Sequence, residues 1–102
     1  MRAKTLIVDD EPLARMRMRS LLEKYSEDLE ILDEAGSGAQ AISKIRELMP
    51  DVVLLDIQMP DMDAFEVLKK IEDDDMPLIV FTTAYENFAL RAYEENTVDY
   101  LL

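Results

Sequence analysis

Thr5-Leu6-Ile7-Val8-Asp9-Asp10-Glu11-Pro12 decides how the rest of the chain is read. Leu6 to Val8 is a continuously apolar run of the kind that forms a strand buried on both faces, and it ends abruptly in acids and a proline. Pro12 suits the first turn of a helix, where its missing N–H costs nothing, and Glu11 lies at the end of the helix dipole that favours negative charge. Beyond it, Ala14, Met18, Leu21, Leu22 and Tyr25 fall at i, i+4, i+7, i+8 and i+11, a stripe expected to turn one helix face to a sheet.

The same strand, turn and helix alternation repeats outward with no linker or low-complexity break. Strands are expected at Thr5 to Val8, Glu30 to Asp33, Val52 to Leu55, Leu78 to Thr82 and Val98 to Leu102, the second of them at an edge. A second helix should follow Gly38, with Ala41, Ile42, Ile45, Leu48 and Met49 on one face and Pro50 past its end. Asp63 can cap a third with Phe65, Leu68 and Ile71 inward, and a shorter fourth should run from about Glu86 to Glu95. Strands joined by helices of this length are mostly parallel, with right-handed crossovers and helices on both faces: a doubly wound α/β unit. Ligands in such sheets gather beyond the C-terminal strand ends, where successive crossovers leave in opposite directions.

With 102 residues, 49% of them apolar, the chain fits one domain with a real core. Lys plus Arg number 11 against 23 Asp plus Glu, a formal charge of -12, which argues against direct nucleic-acid binding. The absence of Cys and His removes disulfides, thiolate metal sites, thiol nucleophiles and the commonest general base. No apolar run approaches the ~20 residues of a membrane span and no signal-peptide plan precedes Leu6, so a cytoplasmic setting without membrane contact is expected.

The first strand ends in Asp9, Asp10 and Glu11 and the third in Asp56, so carboxylates leave apolar strands at the same edge. Turn chemistry and helix capping explain each alone. Together they repel one another, and such a cluster calls for a cation. Mg²⁺ is the natural candidate, because it takes oxygen ligands and works beside phosphate. A carboxylate can attack phosphorus to give an acyl phosphate, and Asp56, standing singly, is the best nucleophile, with Asp9 and Asp10 the adjacent metal holders. Thr82 and Thr83 close the fourth strand at this edge, and one of the two could donate a hydroxyl to a phosphoryl oxygen.

Leu6-Ile7-Val8-Asp9-Asp10-Glu11-Pro12, Val53-Leu54-Leu55-Asp56-Ile57-Gln58-Met59-Pro60, Thr83-Ala84 and Val98-Asp99-Tyr100-Leu101-Leu102 together resemble the receiver domains of bacterial two-component response regulators. The stretch Phe81-Thr82-Thr83-Ala84-Tyr85 with Asp99-Tyr100-Leu101-Leu102 looks most like the subgroup whose receiver precedes a LytTR-type DNA-binding domain. The resemblance implies a flavodoxin-like five-stranded parallel sheet in the order 2-1-3-4-5. It implies a phosphorelay role, with Asp56 accepting a phosphoryl group from a sensor histidine kinase to control an output domain, and so transcription regulation in the parent protein. Asp10, Asp56 and the backbone carbonyl of Gln58 would bind Mg²⁺, with Asp9 assisting through water. Thr83 would be the hydroxyl that moves towards the phosphoryl group, and Tyr100 the aromatic whose rotation changes the face of the fourth helix and fifth strand.

Departures from the family pattern shape the remaining expectations. The Lys-Pro pair that follows the last strand in the family is not present, and Lys4, Lys69 and Lys70 lie in the wrong places to replace its Lys. Residues 1–102 therefore read as a C-terminally truncated receiver domain without output domain or fifth helix, its open edge inviting a homodimer. Ala64 replaces the usual Gly, which is harmless if the position is helical and strained if φ is positive. Arg15, Arg17 and Arg19 either steer an acidic docking face of the kinase or make local ion pairs. One alternative is an interaction module that is never phosphorylated. The other is a Mg²⁺ phosphohydrolase, which would want an acid where Gln58 stands.

Overall fold

A computed structural model describes residues 2–72, 74 and 76–82, and the backbone of 99–101. Its elements are β1 (Ala3–Val8), α1 (Pro12–Leu22), β2 (Leu29–Ala35), α2 (Gly38–Leu48), β3 (Val52–Asp56), α3 (Ala64–Lys69), β4 (Leu78–Thr82) and the short β5 (Asp99–Leu101). All neighbouring strands pair in parallel, in the order β2-β1-β3-β4-β5. This is the doubly wound arrangement that strand and helix alternation demands. The helix expected near Glu86 to Glu95 lies outside the described residues.

Side-chain alternation along the central strands sets the two layers. Leu6, Val8, Val53, Leu55, Ile79 and Phe81 point to one face and join Ala41, Ile42 and Ile45 of α2 and Phe65 and Val67 of α3 in a continuous core. Each Val, Leu, Ile or Phe side chain taken fully from water contributes roughly 1.5–3 kcal/mol, so this layer carries most of the fold. The Phe65 and Phe81 rings sit 5.7 Å apart, tilted by 31°, and tie α3 to β4. Ile7 and Leu54, on the other face, are also buried.

α1 departs most from its expected packing. Ala14, Met18 and Leu22 are half-buried as the stripe requires, but Leu21 and Tyr25 are exposed. The α-helix stops at Leu22 and a 3-10 turn runs over Glu23–Tyr25, so the tighter winding carries Tyr25 off the stripe. Met49 is likewise exposed rather than inward, because α2 ends at Leu48 and Met49 takes the left-handed C-cap at φ 49° before Pro50. β2 is longer than expected and absorbs a register shift opposite Thr5/Leu6. Ala64 opens α3 with its N–H donated to the Ile57 carbonyl at 2.9 Å, so the position is helical and the substitution unstrained.

Candidate functional site

The register brings the acids together. Ile7 pairs with Leu54 and Val8 with Leu55, so one further step sets Asp9 beside Asp56 at the C-terminal ends of adjacent strands. Asp9, Asp10 and Asp56 offer carboxylate oxygens that all lie within 4.8 Å of one another, and all three residues are half-buried. Asp56 stands at the end of β3 in register with Thr82 of β4.

Burial is the main reason the Asp56 carboxyl is pushed up to about 7, and the negative charges of Asp9 and Asp10 add to it. The Gln58 backbone N–H donates to Asp56 and opposes the shift. Asp9 is raised as well, first by burial and then by Asp10 and Glu11, while the Glu11 N–H, 3.0 Å from its Oδ1, and the Arg15 charge work against the rise. Asp9 thereby shapes the turn into α1, a role that the Glu11 side chain at the N-cap does not perform. The cluster is thus short of positive charge at neutral pH, and its donors are oxygens throughout. Both properties fit a hard divalent cation such as Mg²⁺. Gln58, on the loop just after Asp56, is exposed beside the cluster.

Two arginines buttress this edge from α1. Arg15 Nε and Arg19 Nε both donate to the Glu34 carboxylate of β2, at 3.1 and 2.7 Å. Arg15 Nη1 also donates to the Asp9 carbonyl at 2.6 Å. Local pairing therefore accounts for Arg15 and Arg19, and Arg17 is left exposed. Glu34 gave no sign in the sequence, since its partners lie 15 and 19 residues away. Lys44 is engaged on the same strand, with Asp33 Oδ2 at 3.0 Å and the Glu34 carbonyl.

On the far side of the cluster, Asp61 accepts the Gly38 N–H on Oδ1 at 2.9 Å and the Ala39 N–H on Oδ2 at 3.0 Å. Asp61 stands outside the strand-end motifs that the sequence displays. The available signal was that the first turn of α2 carries no acid of its own. Thr83 lies outside the described residues, and of Tyr100 only the backbone is described, paired with Phe81 across β4 and β5.

This edge-on acidic cluster on a 2-1-3-4-5 parallel sheet is the arrangement of a phosphorelay receiver. Residues 5–102 match the response regulator receiver domain model, and the chain belongs to that family. It is 46% identical over 99 residues to the transcriptional regulatory protein BtsR of Salmonella typhi, covering 97% of this chain and 41% of that protein. It is 44% identical over 97 residues to an uncharacterized response regulatory protein of Vibrio vulnificus, covering 95% of this chain and 40% of the relative. The chain thus spans about two-fifths of these curated relatives. Among solved structures, the response regulator domain of Thermotoga maritima CheB superposes with a TM-score of 0.86 at 26% identity, over 99% of this chain and 78% of that one. The CheX-CheY-BeF3-Mg²⁺ complex of Borrelia burgdorferi gives 0.83 at 26% identity, over 98% and 77%. The family is one of signalling domains of two-component response regulators rather than of enzymes in the metabolic sense. Among the described residues no helix is long and apolar enough to cross a membrane.

Proposed function

We propose that this receiver domain accepts a phosphoryl group on Asp56 from the phosphohistidine of a sensor histidine kinase, in a Mg²⁺-dependent reaction. The observation that carries the reading is the convergence of Asp9, Asp10 and Asp56 within 4.8 Å at the C-terminal strand edge. A bound Mg²⁺ would neutralise charge on the attacking carboxylate and on the incoming phosphoryl oxygens. Asp10, Asp56 and the Gln58 carbonyl would hold it, with Asp9 assisting through water. Asp56 must be ionised to attack, so the cation that favours its charged form also prepares the nucleophile. One carboxylate oxygen forms the bond to phosphorus as the bond from phosphorus to the histidine nitrogen breaks, and the imidazole leaves with that electron pair.

Thr83 is proposed as the hydroxyl that meets the phosphoryl group and Tyr100 as the aromatic that responds. Phosphorylation then biases the surface of β5 and of the helix expected near Glu86 to Glu95, a local charge event with a distant readout. The parent protein is proposed to be a cytoplasmic transcription regulator. The Phe81-Thr82-Thr83-Ala84-Tyr85 stretch supports a LytTR-type output domain, and the likeness to BtsR supports transcription as the output. The complex with BeF3 and Mg²⁺ of the Borrelia protein supports the choice of cation. The rival of an interaction module that is never phosphorylated loses one of its supports, because Ala64 is relaxed in α3.

Intact-mass spectrometry after incubation with a small phosphodonor and Mg²⁺ tests the reading. A single metal-dependent phosphoryl adduct, lost in Asp56→Ala, is expected. Its absence both in residues 1–102 and in a longer piece of the parent protein would replace the phosphoacceptor with the interaction module.

A further inference from the structure

We propose that Asp61 is a positioning residue for the metal site, a role that rests on the reading of the Gln58 carbonyl as a Mg²⁺ ligand. Residues 57–63 connect β3 to α3 and carry that carbonyl. The loop leaves directly from Asp56 at the end of β3. It is tied at its end, where the Ala64 N–H meets the Ile57 carbonyl at 2.9 Å and Asp63 Oδ1 accepts the Glu66 N–H at 3.0 Å. Asp61 supplies a third tie, and it leads to a different element. Each of its carboxylate oxygens takes one N–H from the first residues of α2, at 2.9 and 3.0 Å.

The partner helix is a firm anchor. Ala41, Ile42 and Ile45 of α2 are buried in the core. Met62, the next residue of the loop, lies so close over Gly38 that a Cβ there would stand 2.2 Å from Met62 Cγ. Ser37 already caps the helix by accepting the Gln40 N–H at 3.1 Å, so Asp61 and Ser37 divide the free N–H groups of the first turn. The two N–H donors also hold the Asp61 carboxyl below the usual carboxylate range, as expected of an anion used by a helix start. A side chain serving only to finish α2 would act equally well from within α2. Asp61 comes instead from the loop bearing the ligand carbonyl, 22 and 23 residues along the chain. Groups that orient a metal ligand from behind are worth roughly 10–100-fold in affinity.

The test is Mg²⁺ titration by calorimetry on the full chain, well below every melting temperature, for wild type, Asp61→Ala, Asp61→Asn and Ser37→Ala. Asp61→Ala should bind Mg²⁺ about tenfold more weakly, and Asp61→Asn, which keeps one acceptor oxygen, should recover part of the loss. Ser37→Ala weakens the same helix end without touching the loop, and should bind as wild type does. Wild-type affinity in Asp61→Ala, or an equal loss in Ser37→Ala, would overturn the proposal and leave Asp61 a helix cap. Equal losses in Asp61→Ala and Asp61→Asn that vanish at high salt would overturn it in favour of a simple field effect. If the wild-type chain takes up no Mg²⁺, the metal reading itself falls and this inference with it, an outcome visible before any variant is made.

Discussion

Asp56 sits half-buried beside two other acids, and the cation-free fold resists its ionisation to a pH of about 7 against 3.8 for an ordinary aspartate. Between those values the folded chain keeps a proton that the unfolded chain has lost, so stability falls as pH rises through that window. Discounted for solvent screening, the cost at neutral pH is on the order of 1–2 kcal/mol. Asp56→Asn keeps the shape and removes the charge. Urea unfolding at pH 7.5 in chelator should show it more stable than wild type by about that amount, with the difference gone near pH 4. Met49 carries a cost of another kind, a left-handed backbone at φ 49° and ψ 57° on a non-glycine C-cap. Met49→Gly should stabilise the fold by roughly 0.5–1 kcal/mol, read from the same urea midpoints, since an exposed methionine has little packing to lose.

At the scale of elements, the junction of α2 with the loop after β3 is a packed contact as well as a hydrogen-bonded one. Gly38 is buried, and a methyl there would meet Met62 Cγ at 2.2 Å and Val67 Cγ2 at 3.2 Å. Gly38→Ala gains helix propensity of up to ~1 kcal/mol but forces Met62 from its seat, and overpacking typically costs about 1–3 kcal/mol. The single variant should be destabilised by about 1 kcal/mol, and adding Met62→Ala should cancel most of that loss in a double-mutant cycle. Additive effects in that cycle would mean that the two side chains do not compete for one space. The sequence made the strands legible because Leu6 to Val8, Val53 to Leu55 and Ile79 to Phe81 are apolar without interruption, and burial on both faces leaves that mark. Asp9, Asp10 and Asp56 were legible for a related reason, as charges at the ends of such runs. Tyr25 leaves the stripe because periodicity assumes one winding, whereas the helix tightens after Leu22, and Leu21, still within the α-helix, is exposed at the margin of that stripe. The Asp61 and Glu34 contacts join residues 15 to 23 apart through a fold that local pattern does not encode, and the missing acid in the first turn of α2 hints at a partner without naming Asp61.

For the whole molecule, the acidic cluster couples stability, pH and metal. Asp33 and Asp61 are held low, by the Glu34 backbone N–H and by the Gly38 and Ala39 N–H groups, so their contribution is present above about pH 4 and is lost as pH falls through their folded values. Asp56 and Asp9 are raised and act in the opposite sense, withdrawing stability as pH climbs towards neutrality. A cation bound only by the folded state adds RT ln(1 + [L]/Kd), about 2.7 kcal/mol at a hundredfold excess over Kd, and protons compete with it for the same oxygens. Unfolding midpoints in chelator should therefore decline from pH 5 to 8, while those in saturating Mg²⁺ separate upward from them above about pH 6. The formal charge of -12 offers a different source for such a rise, because screening relieves self-repulsion anywhere on the surface. NaCl at matched ionic strength separates the two. Site binding predicts a rise with Mg²⁺ that NaCl does not reproduce and that Asp56→Asn largely abolishes, together with a flatter chelator curve in that variant. A rise of equal size with NaCl, or one undiminished in Asp56→Asn, would place the effect in the overall charge and not at the ends of β1 and β3.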